Sequence, residues 1–171
     1  MNRYQVFISY SHKDRKWLEA LQVHLYPLER EGRIILWDDT RIPGGGRWRD
    51  AIKNALDEAR IAVLLVSQHY LASDFIAANE LQPLLQAADH EGAMILPVLL
   101  SPSRFNRTPD LKEYQAVNSP DRTFMEMTEA EQEREWLKLA YHIEDVLIED
   151  ADKAGDPFRL KAAIRSDRSG G

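Results

Sequence analysis

Six consecutive apolar residues, Ile61-Ala62-Val63-Leu64-Leu65-Val66, constrain this chain more than any other feature. A strand with one wet face alternates apolar and polar side chains, whereas an unbroken apolar strand needs cover on both faces. Helices supply that cover when the neighbouring strands run parallel. The run is also far too short to cross a bilayer, which takes about 20 apolar residues.

The flanking pattern agrees. Residues 4–10 (Tyr4-Gln5-Val6-Phe7-Ile8-Ser9-Tyr10) are rich in β-branched and aromatic residues and predict a first strand. Ser11, with Asp14 three positions on, reads as a helix start. Leu18, Leu21, Leu25 and Leu28 then recur at helical spacing, and Gly32 reads as the stop. Residues 34–37 predict a second strand, followed by a loop through Pro43-Gly44-Gly45-Gly46. Trp48, Ile52, Ala55, Leu56 and Ala59 mark a second helix. A helical pattern covers 73–88, and Pro83 makes the backbone near Glu80 irregular or newly helical. Residues 93–99 predict a fourth strand, whose Pro97 points to an edge. Tyr114-Gln115-Ala116-Val117 reads as a short fifth strand. Thr128 and Glu131 form another capping signature, ahead of a helix with Trp136, Leu139, Ala140, Ile143 and Leu147 on one face. The expected fold is α/β and flavodoxin-like, with five parallel strands and helices on both faces.

The domain is expected over residues 1–150. Residues 151–171 read as a polar linker or tail, leading to another module or to the end of the expressed segment. The formal charge of −6 leaves no basic footprint for nucleic acid. The absence of cysteine removes disulfides and thiolate chemistry, and fits a cytoplasmic protein. No leader-like apolar stretch follows Met1, so no membrane partner is expected. The five histidines make no H-E-x-x-H pair, so no metal is expected. Arg47 follows the glycines where a phosphate-binding loop needs Lys and then Ser or Thr. Ser9, His12 and Asp14 lie too close together for a nucleophilic triad, and there is no G-x-S-x-G elbow.

Parallel sheets bind ligands beyond the carboxyl ends of their strands. Here those ends are Ser9-Tyr10, Trp37-Asp38, Ser67 and Ser101. Several stretches in order resemble the TIR family, the Toll/interleukin-1 receptor and resistance-protein domains. They are Val6-Phe7-Ile8-Ser9-Tyr10-Ser11; Trp37-Asp38-Asp39 through Pro43-Gly44 to Trp48; Leu64-Leu65-Val66-Ser67 with Ser73-Asp74-Phe75 and Asn79-Glu80-Leu81; and Ile95-Leu96-Pro97-Val98. The likeness spans about residues 4–147.

The resemblance implies one of two functions. The first is an NAD⁺ glycohydrolase that cleaves the nicotinamide–ribose bond and yields ADP-ribose or a cyclic isomer. Such a protein acts as an immune or anti-phage effector, switched on by oligomerisation and tied to a fused or partner sensor. The second is a non-catalytic adaptor that signals by TIR–TIR self-association. In the first reading NAD⁺ is the substrate and no cofactor is needed. The resemblance assigns the catalytic role to Glu80. One carboxylate suffices, because nicotinamide leaves as a neutral molecule and the oxocarbenium-like ribose needs nearby negative charge. As a plain structural residue, Glu80 is an acid in a first helical turn.

Phe7, Ser9, Tyr10, Ser11, Asp38, Trp48, Phe75 and Ile76 are the expected substrate contacts. Trp48 matches an aromatic that stacks near nicotinamide, and it also opens the apolar face of its helix. Ser11 also reads as a cap, and Asp38 as a loop anchor. Enzymatic members often carry a tryptophan where Ile76 stands, and Phe75 beside it supplies an aromatic wall instead. Arg41, Ile42, Pro43 and Arg47 are the expected interface with other copies. A phosphoacceptor receiver shares the fold, but it needs an aspartate where the third strand ends at Ser67.

Overall fold

The computed structural model describes residues 5–38 and 48–153. Strand β1 (Gln5–Ser9) lies between β2 (Ile35–Trp37) and β3 (Ala59–Val66), and β4 (Met94–Leu99) flanks β3. All pairings are parallel, in the order β2-β1-β3-β4. Ala59, read from periodicity as the end of a helix, instead pairs with Gln5 and is fully buried.

Alternation along β3 sorts the core into two layers. Ile61, Val63 and Leu65 face helix α1 (Arg15–Arg30) and helix α6 (Glu129–Lys153). Ala62, Leu64 and Val66 face the opposite layer. That layer contains α2 (Trp48–Glu58), α3 (Gln68–Ala72), α4 (Asp74–Ile76) and α5 (Gln82–Glu91). Leu18, Leu21, Leu25 and Leu28 are all buried along α1, as their spacing predicts. Phe124 joins Trp17 edge-on at 6.0 Å and Trp136 at 4.3 Å, closing the first layer. The helix ends follow local chemistry. Gly32 turns left-handed at φ 73°, while the Arg33 amide donates to the Leu28 carbonyl at 3.0 Å. Thr128 and Glu131 bond each other's backbone reciprocally at 3.2 and 3.1 Å, as the capping signature predicts.

Two further expectations change. The Ser11–Asp14 pair is not a reciprocal cap. Ser11 caps a short 3₁₀ turn (His12–Asp14), and α1 starts only at Arg15. The Asp14 carboxylate accepts the Ser67 hydroxyl across the sheet end instead. The described sheet also has four strands rather than five. The segment read as the fifth strand makes one strand-like bond, from the Val117 amide to the Pro97 carbonyl at 2.8 Å. Beyond it a side chain replaces the ladder. The Asn118 amide accepts from the Leu99 N–H and donates to the Leu99 carbonyl, both at 2.9 Å, and donates again to Arg122 at 3.0 Å. Because the Pro97 carbonyl points away from β3, its missing N–H falls on the same outer side. Proline therefore costs the β3–β4 ladder nothing.

Asn118→Ala should cost about 2–4 kcal/mol, since it strands a buried donor and a buried acceptor on Leu99. Urea unfolding at neutral pH measures this, and a loss below about 0.5 kcal/mol would show that water replaces the amide.

Candidate functional site

A strand buried on both faces places its polar residues at its ends, and the carboxyl end is where this sheet collects them. Ser9 closes β1 and is fully buried. Its Oγ lies 3.0 Å from the Tyr70 hydroxyl. Ser67 follows β3, accepts the Tyr70 amide at 3.0 Å as the cap of α3, and donates to Asp14. Tyr70 thus has its backbone fixed by one serine and its hydroxyl by another.

Glu80 approaches from the other side. Ser73 caps α4 through the Ile76 amide at 3.2 Å. The chain then widens into a π-helical turn (Ala77–Leu81) before α5 begins at Gln82. Pro83 explains the widening. Within a regular helix its ring would strike the carbonyl four residues back, on Asn79, whereas in the first turn of a new helix it is tolerated. The irregularity expected near Glu80 is therefore present, and such π turns often re-aim a side chain at a functional site. Glu80 is only 6% exposed, a rare setting for a carboxylate. Its negative charge reaches Tyr70. Burial is the main force pushing that phenol well above its ordinary value near 10; the Ser9 hydrogen bond opposes this, and Glu80 adds to it.

The structure divides the expected contact residues. Ser9 and Glu80 meet around Tyr70. Phe7 and Ile76 are 2% and 3% exposed in the same core layer, where they form the floor beneath the site. Phe75, by contrast, is 43% exposed, one turn before Glu80, with its carbonyl held by the Asn79 side chain at 3.1 Å. Tyr10 packs into the layer on the opposite side of the sheet, its ring 5.7 Å from His12. Ser11 is buried as a cap. Asp38 is 1% exposed and accepts Gln22 Nε2 at 2.9 Å, which anchors the end of β2 to α1. Trp48 opens α2, while its side chain and residues Arg41, Ile42, Pro43 and Arg47 lie outside the described residues.

Tyr70, Ser67 and Asp14 did not stand out in the sequence as a linked group. The available signal was an aromatic three residues after a strand-ending serine. Trp37 was named only as a strand end. Its indole N–H is buried and finds no hydrogen-bond acceptor among the described residues. Among those residues there is also no cluster of three or more His, Cys, Asp or Glu able to hold a metal.

Tyr70 generates a pH prediction. The unfolded phenol ionises near its ordinary 10 and the folded one higher, so the stability it contributes is complete below pH 10 and declines as pH rises past it. Tyr70→Phe should lose about 1 kcal/mol at pH 7 and show a shallower alkaline decline. Denaturation curves at neutral pH and above pH 10 test this. Tyr114, also raised by burial and by Asp89 and Glu113, is present in both proteins and cancels. Parallel alkaline declines would refute the burial of the phenol.

The model of the TIR domain family matches residues 6–140. The uncharacterized protein y4lF of Sinorhizobium fredii is 33% identical over 104 residues, covering 61% of this chain and 32% of that protein. The disease resistance protein RML1A of Arabidopsis thaliana is 29% identical over 96 residues, covering 56% of this chain and 9% of that protein. The chain therefore matches about a third of one curated relative and less than a tenth of the other. Among solved structures, the TIR domains of the activated Roq1 resistosome, which recognises the effector XopQ, align with a TM-score of 0.50 and 22% identity. That alignment covers 81% of this chain and 84% of the other, and it bears on the fold. With the family model spanning most of its length and the sheet and helices in the expected order, this chain belongs to the TIR domain family.

Proposed function

We propose that this TIR domain is an NAD⁺ glycohydrolase in which Glu80 carries the chemistry. The observation that supports this reading best is a nearly buried carboxylate on a π turn, electrostatically coupled to a tyrosine at the carboxyl end of a parallel sheet. Ligands of such sheets bind at that end, and strongly perturbed groups collect at functional sites.

In the reaction the ribose C1–N bond breaks, its electron pair goes to the pyridinium nitrogen, and neutral nicotinamide leaves. Glu80 holds the ribose hydroxyls and stabilises the cationic sugar. Water then adds to C1 and releases one proton, giving ADP-ribose; attack by the adenine instead gives a cyclic isomer. Ser9 and Tyr70 keep the wall behind Glu80 rigid, which conserves the geometry the transition state needs. Phe75, exposed next to this turn, is the aromatic surface available to the nicotinamide ring. The loop with Arg41, Ile42, Pro43 and Arg47 joins copies of the domain, and assembly switches the enzyme on as an immune or anti-phage effector. A sensor module, fused or separate, drives that assembly. A non-catalytic adaptor is the second reading. It is favoured by Ile76, which is buried in the core where enzymatic members often present a tryptophan.

Glu80→Gln should abolish nicotinamide release from concentrated protein, a loss of at least about 100-fold, while leaving the thermal transition intact. Chromatography of NAD⁺ incubations reads this directly. Turnover retained by the variant removes Glu80 from the chemistry; no release from either protein, even when forced to oligomerise, selects the adaptor. Converting Arg41 and Arg47 together to Glu should shift the active species to monomer in sedimentation velocity and lower specific activity in step. An unchanged sedimentation profile rejects that loop as the interface.

A further inference from the structure

The segment that carries Glu80 has little helix of its own. Helix α3 has five residues and α4 three, both too short to hold their geometry unaided. A run of hydrogen bonds holds them instead, and it starts on the far side of the sheet, at the entry to α1. There the Asp14 carboxylate accepts the Ser67 hydroxyl. Ser67 in turn accepts the Tyr70 amide at 3.0 Å. The Tyr70 carbonyl accepts the Ser73 amide at 3.2 Å, and the Ser73 hydroxyl accepts the Ile76 amide, also at 3.2 Å. Finally the Ser73 carbonyl accepts the Ala77 amide at 3.1 Å, where the π turn with Glu80 begins. The path from Asp14 to that turn is unbroken. Tyr70 is its midpoint, and its hydroxyl is tied separately to Ser9.

The first link controls the second. A serine hydroxyl has one proton, and here it goes to Asp14, which leaves a lone pair for the Tyr70 amide. Hydrogen bonds in such a chain polarise and strengthen one another. With Asp14 gone the hydroxyl is free to rotate, and the cap that starts α3 loosens.

Asp14 serves this path against its local preference. It stands at the N-cap of α1, where an aspartate usually accepts from the amides of the first turn, yet its side chain makes no capping bond. It is also only 6% exposed, and burying a carboxylate is costly. The stability of α1 alone would favour a solvated, capping aspartate. Local rules of this kind are broken chiefly where a functional site sets the choice.

We propose that Asp14 is a positioning residue for the cleavage reaction: through Ser67 and Tyr70 it fixes the orientation of the turn that carries Glu80. This rests on the reading of Glu80 as the catalytic carboxylate. Asp14 takes no part in breaking the bond. It governs how often the carboxylate meets the ribose in productive geometry, and small misplacements of a reacting group carry large losses in rate.

Steady-state kinetics of nicotinamide release by the full chain test this. Asp14→Ala should lower kcat at least about tenfold while KM stays within about twofold, the pattern of an interaction felt in the transition state. Asp14→Asn should return kcat to within about threefold of the parent, since its amide oxygen accepts the same bond. Ser67→Ala should match Asp14→Ala, and the double variant should lose no more than either alone, as for two members of one path. Thermal transitions well above the assay temperature verify that the variants are folded; if Asp14→Ala does not fold, Ser67→Ala and Asp14→Asn carry the same comparison. A kcat in Asp14→Ala or Ser67→Ala within about twofold of the parent overturns the proposal, and so do losses that multiply in the double variant. Turnover retained by Glu80→Gln, or absent from the parent, rejects the reading of Glu80 and this proposal with it.

Discussion

A strand buried on both faces has nowhere to place a polar side chain, and β3 carries none from Ile61 to Val66. Every other feature of the domain answers that constraint. Two helical layers are required, because residues 61, 63 and 65 leave the sheet on one side and 62, 64 and 66 on the other. Parallel pairing to β1 and β4 follows, since the crossovers that join parallel strands are what place helices on both faces. Burying one such leucine or isoleucine contributes roughly 2 kcal/mol, so the layered core outweighs any single polar contact described above.

The same constraint concentrates polar side chains at the strand ends. Ser9 and Ser67 are the first polar positions after their buried runs, and both are used to hold Tyr70. Glu80 lies buried on the turn where the chain departs from α-helical geometry before Pro83. The widened turn and the proline solve one steric problem together, and the buried carboxylate sits within that turn. Burial then amplifies its influence, because a charge in a low-dielectric wall is felt by its neighbours far more than one in water.

The edges of the sheet show a different balance. At β4 the ladder is finished by a side chain, Asn118, rather than by a strand. An amide carries a donor and an acceptor side by side, as a peptide group does, so it satisfies Leu99 without fixing a further stretch of backbone. Beside it Gln115, Ala116 and Val117 line a groove with Ile95, Leu96 and Leu139.

Much of this was legible from residues alone. The unbroken run in β3, the leucine spacing of α1, the Thr128–Glu131 cap and the disturbance at Pro83 are local, and local sterics and hydrogen bonding decide them. The ordered motifs indicated the family for the same reason, since each sits where a strand meets a loop. Other features could not be read this way. Asp14 formed half of a plausible helix cap, yet it bonds Ser67, 53 residues away. Tyr10 follows Ser9 directly but belongs to the opposite layer, because consecutive residues of a strand point apart. Tyr114 to Val117 had strand composition, but composition does not reveal that one asparagine will take over the edge. Sequence thus determined the elements, their order and the position of the acid; tertiary structure decided which polar groups meet, because partners distant in the chain become neighbours only when both faces of β3 are covered.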